Sequence, residues 1–211
     1  MGTEASVNEA TTVRRCGART VLALAETVVA IHAEVHADLP FGRERYFGTA
    51  AFRDRLALAV WQPRFELCLA ETGGGEIAGL MYGWALPRNT RWWRPVGDGL
   101  PSELTAEDGG RSVFIQEIMV RRPWRRQGIA RRMHDVFLAS RTERRGLMCV
   151  LPDNEPAAGA YRRWGWRTVV TAPFGPDEPV FDCMVLDLRA RAGVPGAAPD
   201  PGTPHTPREE A

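Results

Sequence analysis

The chain has 211 residues, enough for one domain of ordinary size with a core that folds unaided. Hydrophobic residues make up 44% and charged residues 25%, as in globular proteins, and no apolar run is long enough to span a bilayer. The net charge of +1 excludes a global field that would steer the chain to nucleic acid or to a membrane.

Cysteine usage and the N-terminal sequence indicate the compartment. The cysteines at positions 16, 68, 149 and 183 have no paired spacing, so we expect buried, reduced thiols. No basic segment leads into an apolar run near the start, as a secretory leader would require. We therefore expect a cytoplasmic protein with no membrane partner.

The first part of the chain predicts a short strand and two helices. Residues 1–11 are polar and are expected to be flexible, and a strand is predicted near 12–15. Residues 20–37 repeat apolar side chains at helical spacing and predict one helix with an apolar face. A second helix is predicted at 49–61, ended by Pro63.

Two histidines on the first predicted helix raise the question of a metal site. His32 and His36 lie four residues apart, but the zinc-protease pattern needs Glu directly after the first His, and Glu34 comes one place late. No further ligand follows at a suitable spacing. We expect surface or cleft-lining histidines and no metal.

A hairpin and a long connection follow. Residues 65–71 and 76–86 are apolar-rich and predict two strands joined by a glycine-rich turn. Residues 87–112 then form an unusually long connection that contains Trp92 and Trp93. Its tryptophans either bind a cationic amine through their ring faces or merely pack on the sheet.

The central stretch is a buried strand followed directly by a turn and a helix. Residues 113–120 are apolar on both alternating faces, interrupted only by Gln116 and Glu117. We interpret Gln116, which the alternation turns away from Glu117, as structural. Apolar residues recur at helical spacing from Ile129, and Gly128 removes a side chain where that helix begins. Such a helix start leaves backbone N–H groups open to an anion, so this stretch predicts a phosphate site.

The remaining elements complete the predicted sheet. A strand is predicted at 147–151, a helix follows the helix-start signal at Asn154, and the last two strands are predicted at 166–171 and 180–188. Residues 190–211 are rich in proline, glycine and charge and are expected to be disordered. The order predicts an α/β domain at 12–189 with a mixed sheet and helices on both faces.

Two motifs give this chain a resemblance to a known family. A Walker loop is excluded because the chain has no lysine, and the dinucleotide fingerprint needs three spaced glycines. Arg125, Gly128 and Ala130 instead match the Gln/Arg-x-x-Gly-x-Gly/Ala signature of the GNAT superfamily, the acyl-CoA-dependent N-acyltransferases. Asn154 and Tyr161 match the family's second motif, Asn-x6-Tyr-x3-Gly-aromatic. The resemblance spans residues 12–188, nearly the whole ordered chain.

The resemblance implies a mixed, mostly antiparallel sheet with a splayed central strand pair, and acetyl-CoA or another acyl-CoA as co-substrate. Backbone N–H groups at the helix start would bind the pyrophosphate, flanking arginines would add charge, and the end of the central strand would hold the pantetheine arm. The residues carried over are Gln127, Gly128, Ile129 and Ala130 for the N–H groups, Arg125 and Arg126 for charge, and Ile118, Met119 and Val120 for the arm. A backbone N–H near Val120 would polarise the thioester carbonyl.

Three side chains are carried over as candidates for catalysis and for holding the arm. Glu117 would be the general base, with the alternative that it only binds substrate or pairs with an arginine. Tyr161 would protonate the leaving thiolate, with the alternative of a core tyrosine. Asn154 would hydrogen-bond the pantetheine or cap its helix. Since no serine or cysteine has the sequence setting of a nucleophile, direct transfer is favoured.

The resulting hypothesis is an N-acetyltransferase that acts on an amine, either a small molecule or a peptide. One alternative is a non-catalytic acyl-CoA-binding module with the same fold. A nucleic-acid binder is disfavoured, since the arginine cluster lacks interleaved aromatic residues. We expect the first two helices, residues 87–112 and the last strand pair to line the acceptor pocket. The oligomeric state is left open, and a homodimer is one alternative.

Overall fold

The computed structural model describes residues 11–37, 45–95, 100–175 and 179–189. Within these ranges the chain forms seven strands: β1 (Thr12–Cys16), β2 (Glu66–Glu71), β3 (Ile77–Ala85), β4 (Ser112–Val120), β5 (Arg145–Val150), β6 (Arg167–Pro173) and β7 (Val180–Asp187). It also forms six α-helices: α1 (Ala18–Ala23), α2 (Ala25–Ala37), α3 (Thr49–Ala59), α4 (Ser102–Thr105), α5 (Ile129–Ala139) and α6 (Glu155–Arg163). The predicted flexible N-terminus, apart from Thr11, and the predicted tail lie outside the described residues.

The strands form a single sheet in the order β1-β2-β3-β4-β5-β7-β6. Neighbouring strands are antiparallel except β4 and β5, which are parallel because α5 forms the crossover between them. The predicted mixed, mostly antiparallel sheet is confirmed. Among the described helices, none combines the length and the apolar character that crossing a bilayer requires.

Helices cover both faces of the sheet, because the strand side chains alternate between two buried cores. Cys68 and Met81 pack with Met133 of α5 on one face. Leu67 and Leu80 pack on the other face, against α2 and α3. This arrangement of helices on both faces is the one that the sequence predicts.

The single helix predicted at 20–37 is two helices in the structure. The chain leaves helical geometry at Leu24, with φ −108° and ψ 15°, although the Leu24 N–H still bonds to the Thr20 and Val21 carbonyls. The break allows α1 to pack on β1 and β2 while α2 packs on β4. Tertiary packing thus overrides a helical periodicity that continues through the break.

A β-bulge and a strand separation shape the middle of the sheet. Tyr82 pairs with Glu117 whereas the next residue of β3, Gly83, pairs with Ile115, so Gln116 is the extra residue of β4. The parallel pairing of β4 with β5 ends at Ile115, although both strands continue beyond that point. The central pair is therefore splayed, as the family resemblance implied.

Candidate functional site

A cavity of about 340 Å³ lies where β4 and β5 separate. The separated ends of β4 and β5 form one part of its wall, to which α6 contributes Tyr161, and Asn154, the residue before α6, also lines the cavity. Four further regions complete the wall. His36 comes from α2, Arg55 from α3, Trp92 from the 87–112 connection, and side chains such as Phe181 from the last strand pair. These four regions are the ones that we expected, from the sequence, to line the acceptor pocket.

Glu117 faces this cavity because of the bulge. Without the extra residue, alternation would place Glu117 on the same face as Val113 and Ile115, which pack in the core under α5. The bulge at Gln116 shifts the alternation by one, so Glu117 lies on the face that carries Phe114, and both line the cavity. Gln116 also lines the cavity, which differs from the structural role that simple alternation predicted.

The Glu117 carboxyl has an unusual pKa for a glutamate. Only 14% of its side chain is exposed, and burial raises its pKa to about 7. The guanidinium of Arg55 acts in the opposite direction, with its Nη2 atom 4.0 Å from a Glu117 oxygen. Glu117 can therefore exchange a proton near neutral pH, as a general base requires.

Tyr161 lies on α6 with its ring against Trp164, at 5.4 Å between ring centroids. Burial, and secondarily the charge of Glu117, raise the pKa of its hydroxyl above the usual value for tyrosine. The hydroxyl is therefore protonated at neutral pH and is a weaker acid than that of an exposed tyrosine. Tyr161 lines the cavity, as the acid role requires, and also packs against the core under α5.

Asn154 occupies the N-cap position of α6 but its side chain makes no capping hydrogen bond. Its backbone carbonyl accepts hydrogen bonds from Ala157 and Ala158. The Asn154 side chain lines the cavity. Of the two roles considered from the sequence, side-chain capping of the helix is not made, and the contact with the pantetheine stays a prediction.

Gly128 is the N-cap of α5, in the left-handed conformation with φ 75°. Gln127 and Gly128 are exposed, and a Cβ at Gly128 would meet only the tip of Arg132, at 3.9 Å. Glycine is thus required for the backbone conformation rather than for lack of space. The first-turn N–H groups of α5 have no partner within the helix, and the loop before them is open to solvent.

The arginines around this loop have different partners. The Arg125 Nε–H donates to the Val120 carbonyl at 3.0 Å, and its Nη2 donates to the Val35 carbonyl at 3.3 Å. Arg125 therefore holds the end of β4 against α2. Arg126 is exposed with φ 64°, and its side chain has no hydrogen bond or ion pair to the described residues. Arg126 is thus available for an anion beside α5.

The backbone of β4 points into the gap beside β5. Arg121 N–H donates to the Ala78 carbonyl at 2.9 Å, so the Val120–Gly79 pair is one of the non-hydrogen-bonded pairs of β3 and β4. The N–H groups of Val120 and Ile118 therefore point away from β3, toward the side on which pairing with β5 has ended. Met119, by the same alternation, bonds to β3, and its side chain lines the cavity.

Arg55 is a residue of the cavity wall that the sequence reasoning missed. Its Nη1 donates to the Tyr46 carbonyl at 2.6 Å, and its guanidinium carbon lies 4.1 Å from the centroid of the Tyr46 ring. The available signal was its position: Arg55 lies three residues after Phe52, on the apolar face of the predicted helix. A charged residue on that face needs a partner or a role.

The two histidines differ in their surroundings. His32 is fully buried, with its ring stacked 4.0 Å from that of His36 and 3.8 Å from that of Phe52, and burial lowers its pKa to about 3. It is a core residue, which the expectation of a surface or cleft position missed. His36 does line the cavity. Its Nδ1 lies 2.9 Å from the His32 carbonyl, and because a carbonyl only accepts, this nitrogen carries the ring proton of neutral His36.

The two tryptophans of the long connection differ in their position. Trp92 lines the cavity, whereas Trp93 is buried and its Nε1–H donates to Glu107 at 3.1 Å. Glu107 in turn accepts hydrogen bonds from Ser112 and Arg145, at 2.7 and 2.8 Å. This buried network fixes the connection on the sheet and holds Trp92 in the cavity wall.

Comparison with known proteins agrees with this geometry. The profile of the Acetyltransferase (GNAT) family matches residues 29–166. Among curated proteins no relative matches the chain.

Solved structures share the fold at low sequence identity. NAA60 of Arabidopsis thaliana in complex with acetyl-CoA aligns with a TM-score of 0.57 and 16% identity, over 85% of this chain and 99% of its own. The putative acetyltransferase yncA of Salmonella typhimurium, with its cofactor acetyl-CoA, aligns with a TM-score of 0.54 and 14% identity, over 92% of this chain and 99% of its own. A mutant form of the spermidine/spermine N-acetyltransferase SpeG of Vibrio cholerae aligns with a TM-score of 0.54 and 10% identity, over 87% of this chain and 98% of its own.

Proposed function

The chain belongs to the GNAT acetyltransferase family, and we propose that it transfers the acetyl group of acetyl-CoA directly to a primary amine within a ternary complex. Acyl-CoA-dependent acetyl transfer is the family's general reaction; amine specificity and mechanism are the proposal. The observation that carries it is Glu117, a buried carboxylate with a pKa of about 7 in the cavity between the splayed strands. An amine acceptor is also what SpeG, a spermidine/spermine N-acetyltransferase, uses.

The start of α5 fits the pyrophosphate of the co-substrate. The left-handed Gly128 and the exposed loop before α5 leave its first backbone N–H groups open, and a helix N-terminus favours an anion. Gln127, Gly128, Ile129 and Ala130 would supply these donors, and Arg126 would add charge from its exposed position. Arg125 would contribute by holding the loop against β4, since its side chain bonds to backbone carbonyls.

The gap beside β4 fits the pantetheine arm. Ile118 and Val120 present backbone groups to the side where β5 no longer pairs, and Asn154 lines the same cavity. The Val120 N–H would donate to the thioester oxygen, where negative charge develops as the amine attacks. One such donor is worth roughly 3 kcal/mol of barrier in known oxyanion sites.

Glu117 would remove the proton of the acceptor. A primary alkylammonium has a pKa of about 10 and cannot attack until it is neutral. Burial makes Glu117 a stronger base than an exposed glutamate, and its cavity position gives it access to a bound amine. Glu117 takes up one proton of the ammonium, the neutral amine nitrogen then bonds to the carbonyl carbon, and the carbon–sulfur bond breaks.

Tyr161 would supply the proton that the departing thiolate takes up. The hydroxyl is protonated at neutral pH, as in any tyrosine whose pKa is not lowered, and a proton given to the sulfur lets it leave as a thiol. From alkylammonium to amide the nitrogen loses two protons. Glu117 passes the first to solvent, and the second, lost after attack, balances the proton that Tyr161 gives to the thiol. The proposed products are the acetylated amine and CoA, and no metal takes part.

Cys149 defines a competing covalent route. It lines the cavity, which its sequence setting did not indicate, and a cysteine there has the right chemistry to accept an acetyl group. The two routes differ before any amine is added. Incubation with acetyl-CoA alone should leave the protein mass unchanged under direct transfer, whereas a covalent route adds one acetyl group that Cys149→Ala abolishes.

The function is tested by thiol release from acetyl-CoA across a panel of primary amines. We expect amine-dependent release that Glu117→Gln and Tyr161→Phe both reduce, while acetyl-CoA still binds. Binding of acetyl-CoA without thiol release for any amine would instead identify a non-catalytic acyl-CoA-binding module.

A further inference from the structure

Much of the cavity wall consists of aromatic side chains. Six of its rings form a continuous row of contacts, in the order Trp84, Phe114, Trp92, Phe174, Phe181 and Tyr46. Ring centroids are 5.3 Å apart for Trp92 and Phe114 and 5.2 Å apart for Trp92 and Phe174. All six side chains line the cavity. A row of aromatic rings around an opening offers apolar contact area and ring faces to whatever binds there.

The row is assembled from parts of the chain that are distant in sequence. Trp84 and Phe114 come from the neighbouring strands β3 and β4, whereas Trp92 comes from the long connection. Phe174 directly follows β6, and Phe181 is the second residue of β7. Several elements thus place aromatic rings at one location. Trp84, Trp92, Phe114 and Phe174 belong to a third hydrophobic cluster, and Trp84 also packs against the core under α2 and α3.

The charge inside the cavity is nearly balanced. Among the described residues that line it, Glu117 is the only carboxylate. Arg55 lies 4.0 Å from Glu117 and carries the opposite charge. One ammonium can therefore be neutralised by giving its proton to Glu117, but a second ammonium on the same ligand would meet Arg55 and no further carboxylate of the described lining. This balance disfavours polyamines.

The space is also limited. The cavity of about 340 Å³ includes the surroundings of Asn154 and Tyr161, which the acyl-pantetheine end occupies in the proposed reaction. The acceptor has only the rest of this volume. This volume is at the lower end for small-molecule sites and suits a compact ligand.

We infer that the acceptor is a small primary monoamine that carries an aromatic or comparably bulky apolar group. The inference rests on the proposed acetyl transfer to an amine. The amino group reaches Glu117, and the apolar group packs among Trp92, Phe114 and Phe174. A propyl group fills less of this wall, and spermidine brings additional charges for which the described lining holds no second carboxylate.

The test compares kcat/KM for 2-phenylethylamine, propylamine and spermidine with acetyl-CoA as donor. We expect 2-phenylethylamine to exceed both others at least about tenfold, because burying one ring and its contacts is worth more than 1.4 kcal/mol. A preference for spermidine, or equal values for the two monoamines, would overturn the acceptor class and leave acetyl transfer intact.

Matched substitutions test whether the aromatic side chains cause the preference for 2-phenylethylamine. Trp92→Leu and Phe174→Leu should each lower the ratio of kcat/KM for 2-phenylethylamine to that for propylamine, by about threefold or more. Trp61→Leu is the control, because Trp61 is 80% exposed and lies outside the cavity lining. An unchanged ratio in both cavity variants, with folding verified by circular dichroism, would contradict the inference.

Calorimetry separates the failure of the two claims. If acetyl-CoA itself does not bind, the proposed function fails and the inference with it. If acetyl-CoA binds but no amine is acetylated, the binding of 2-phenylethylamine is measured in the presence of CoA. Saturable binding that Trp92→Leu weakens supports the aromatic site. No binding overturns it.

Discussion

The Nη2 atom of Arg55 lies 4.0 Å from a carboxylate oxygen of Glu117, at the wall of the cavity between the splayed strands. At this distance the two charges attract without forming a hydrogen bond. Burial raises the pKa of Glu117 and Arg55 lowers it, and burial is the larger effect, leaving a value of about 7. The protonation state of Glu117 therefore depends on a neighbour that the sequence motifs do not include.

Replacing Arg55 should shift the pH dependence of turnover. Arg55→Gln removes the charge that lowers the pKa of Glu117, so that pKa should rise above 7. Because the base must be ionised, the acidic limb of kcat moves to higher pH, and turnover at about pH 7 falls several-fold. Arg53→Gln on the same helix is the control, since Arg53 pairs with Glu26 at the surface. A limb that stays in place would show that Arg55 does not act on the base.

Glu117 should destabilise the folded protein when it is ionised. Its folded-state pKa of about 7 lies above the ordinary value of 4.5, so ionisation costs free energy in the fold. The cost is absent below pH 4.5 and complete above about pH 7. Glu117→Gln should therefore raise the free energy of unfolding by about 3 kcal/mol at pH 8, and by far less near pH 4.5. Urea unfolding at both pH values measures this.

A second glutamate gives a control of opposite sign for that measurement. Arg14 holds the pKa of Glu71 below its usual range, so the ionised form of Glu71 stabilises the fold and the contribution is lost as pH falls. Glu71→Gln should lower stability at pH 8 by about 1 kcal/mol or less, as for other surface ion pairs. Equal effects of the two substitutions would contradict the account of Glu117.

Tyr161→Phe should lower kcat at least about tenfold, because the thiolate loses its proton donor. Affinity for acetyl-CoA, measured by calorimetry, should stay within about twofold, since the ring remains against Trp164. Tyr82→Phe provides the matched control: the Tyr82 hydroxyl is buried, has no hydrogen-bond partner among the described residues and does not line the cavity. Unchanged turnover for Tyr161→Phe would remove Tyr161 from the mechanism.

Gly128→Ala should weaken acetyl-CoA binding through the backbone. The left-handed φ of 75° costs an alanine about 1 kcal/mol, and the loop can relieve that strain by moving its N–H groups. Gly75 has φ 81° and open space around it, in the turn between β2 and β3. Both Gly→Ala variants should lose similar stability in urea, but only Gly128→Ala should raise the Kd for acetyl-CoA, by about fivefold or more. Equal Kd values would contradict the pyrophosphate assignment.

The strand, loop and helix around Gly128 could be predicted because each signal is local. An apolar run predicts the strand β4, a glycine marks the helix start, and apolar spacing from Ile129 predicts α5. The splayed strand pair was accessible only through the family resemblance. Nothing in the local sequence shows where the pairing of β4 with β5 ends.

The acceptor side of the cavity could not be predicted residue by residue. Which way Glu117 faces depends on one bulged residue, and a bulge at Gln116 has no local signal such as glycine. The aromatic row depends on distant segments that meet only in the fold, from Trp84 to Phe181. The place of Arg55 in the cavity wall could not be predicted for the same reason, because its partner Glu117 is far away in sequence.

The measurement that tests the central claim most directly is kcat against pH for the wild-type protein and for Glu117→Gln, with the best amine of the panel. The account predicts a wild-type acidic limb with a midpoint near the Glu117 pKa of about 7. It also predicts that Glu117→Gln lowers the plateau at least about a hundredfold, as loss of a general base does, and removes that limb. A variant that keeps the wild-type limb and stays within about threefold of the wild-type plateau would contradict Glu117 as the base.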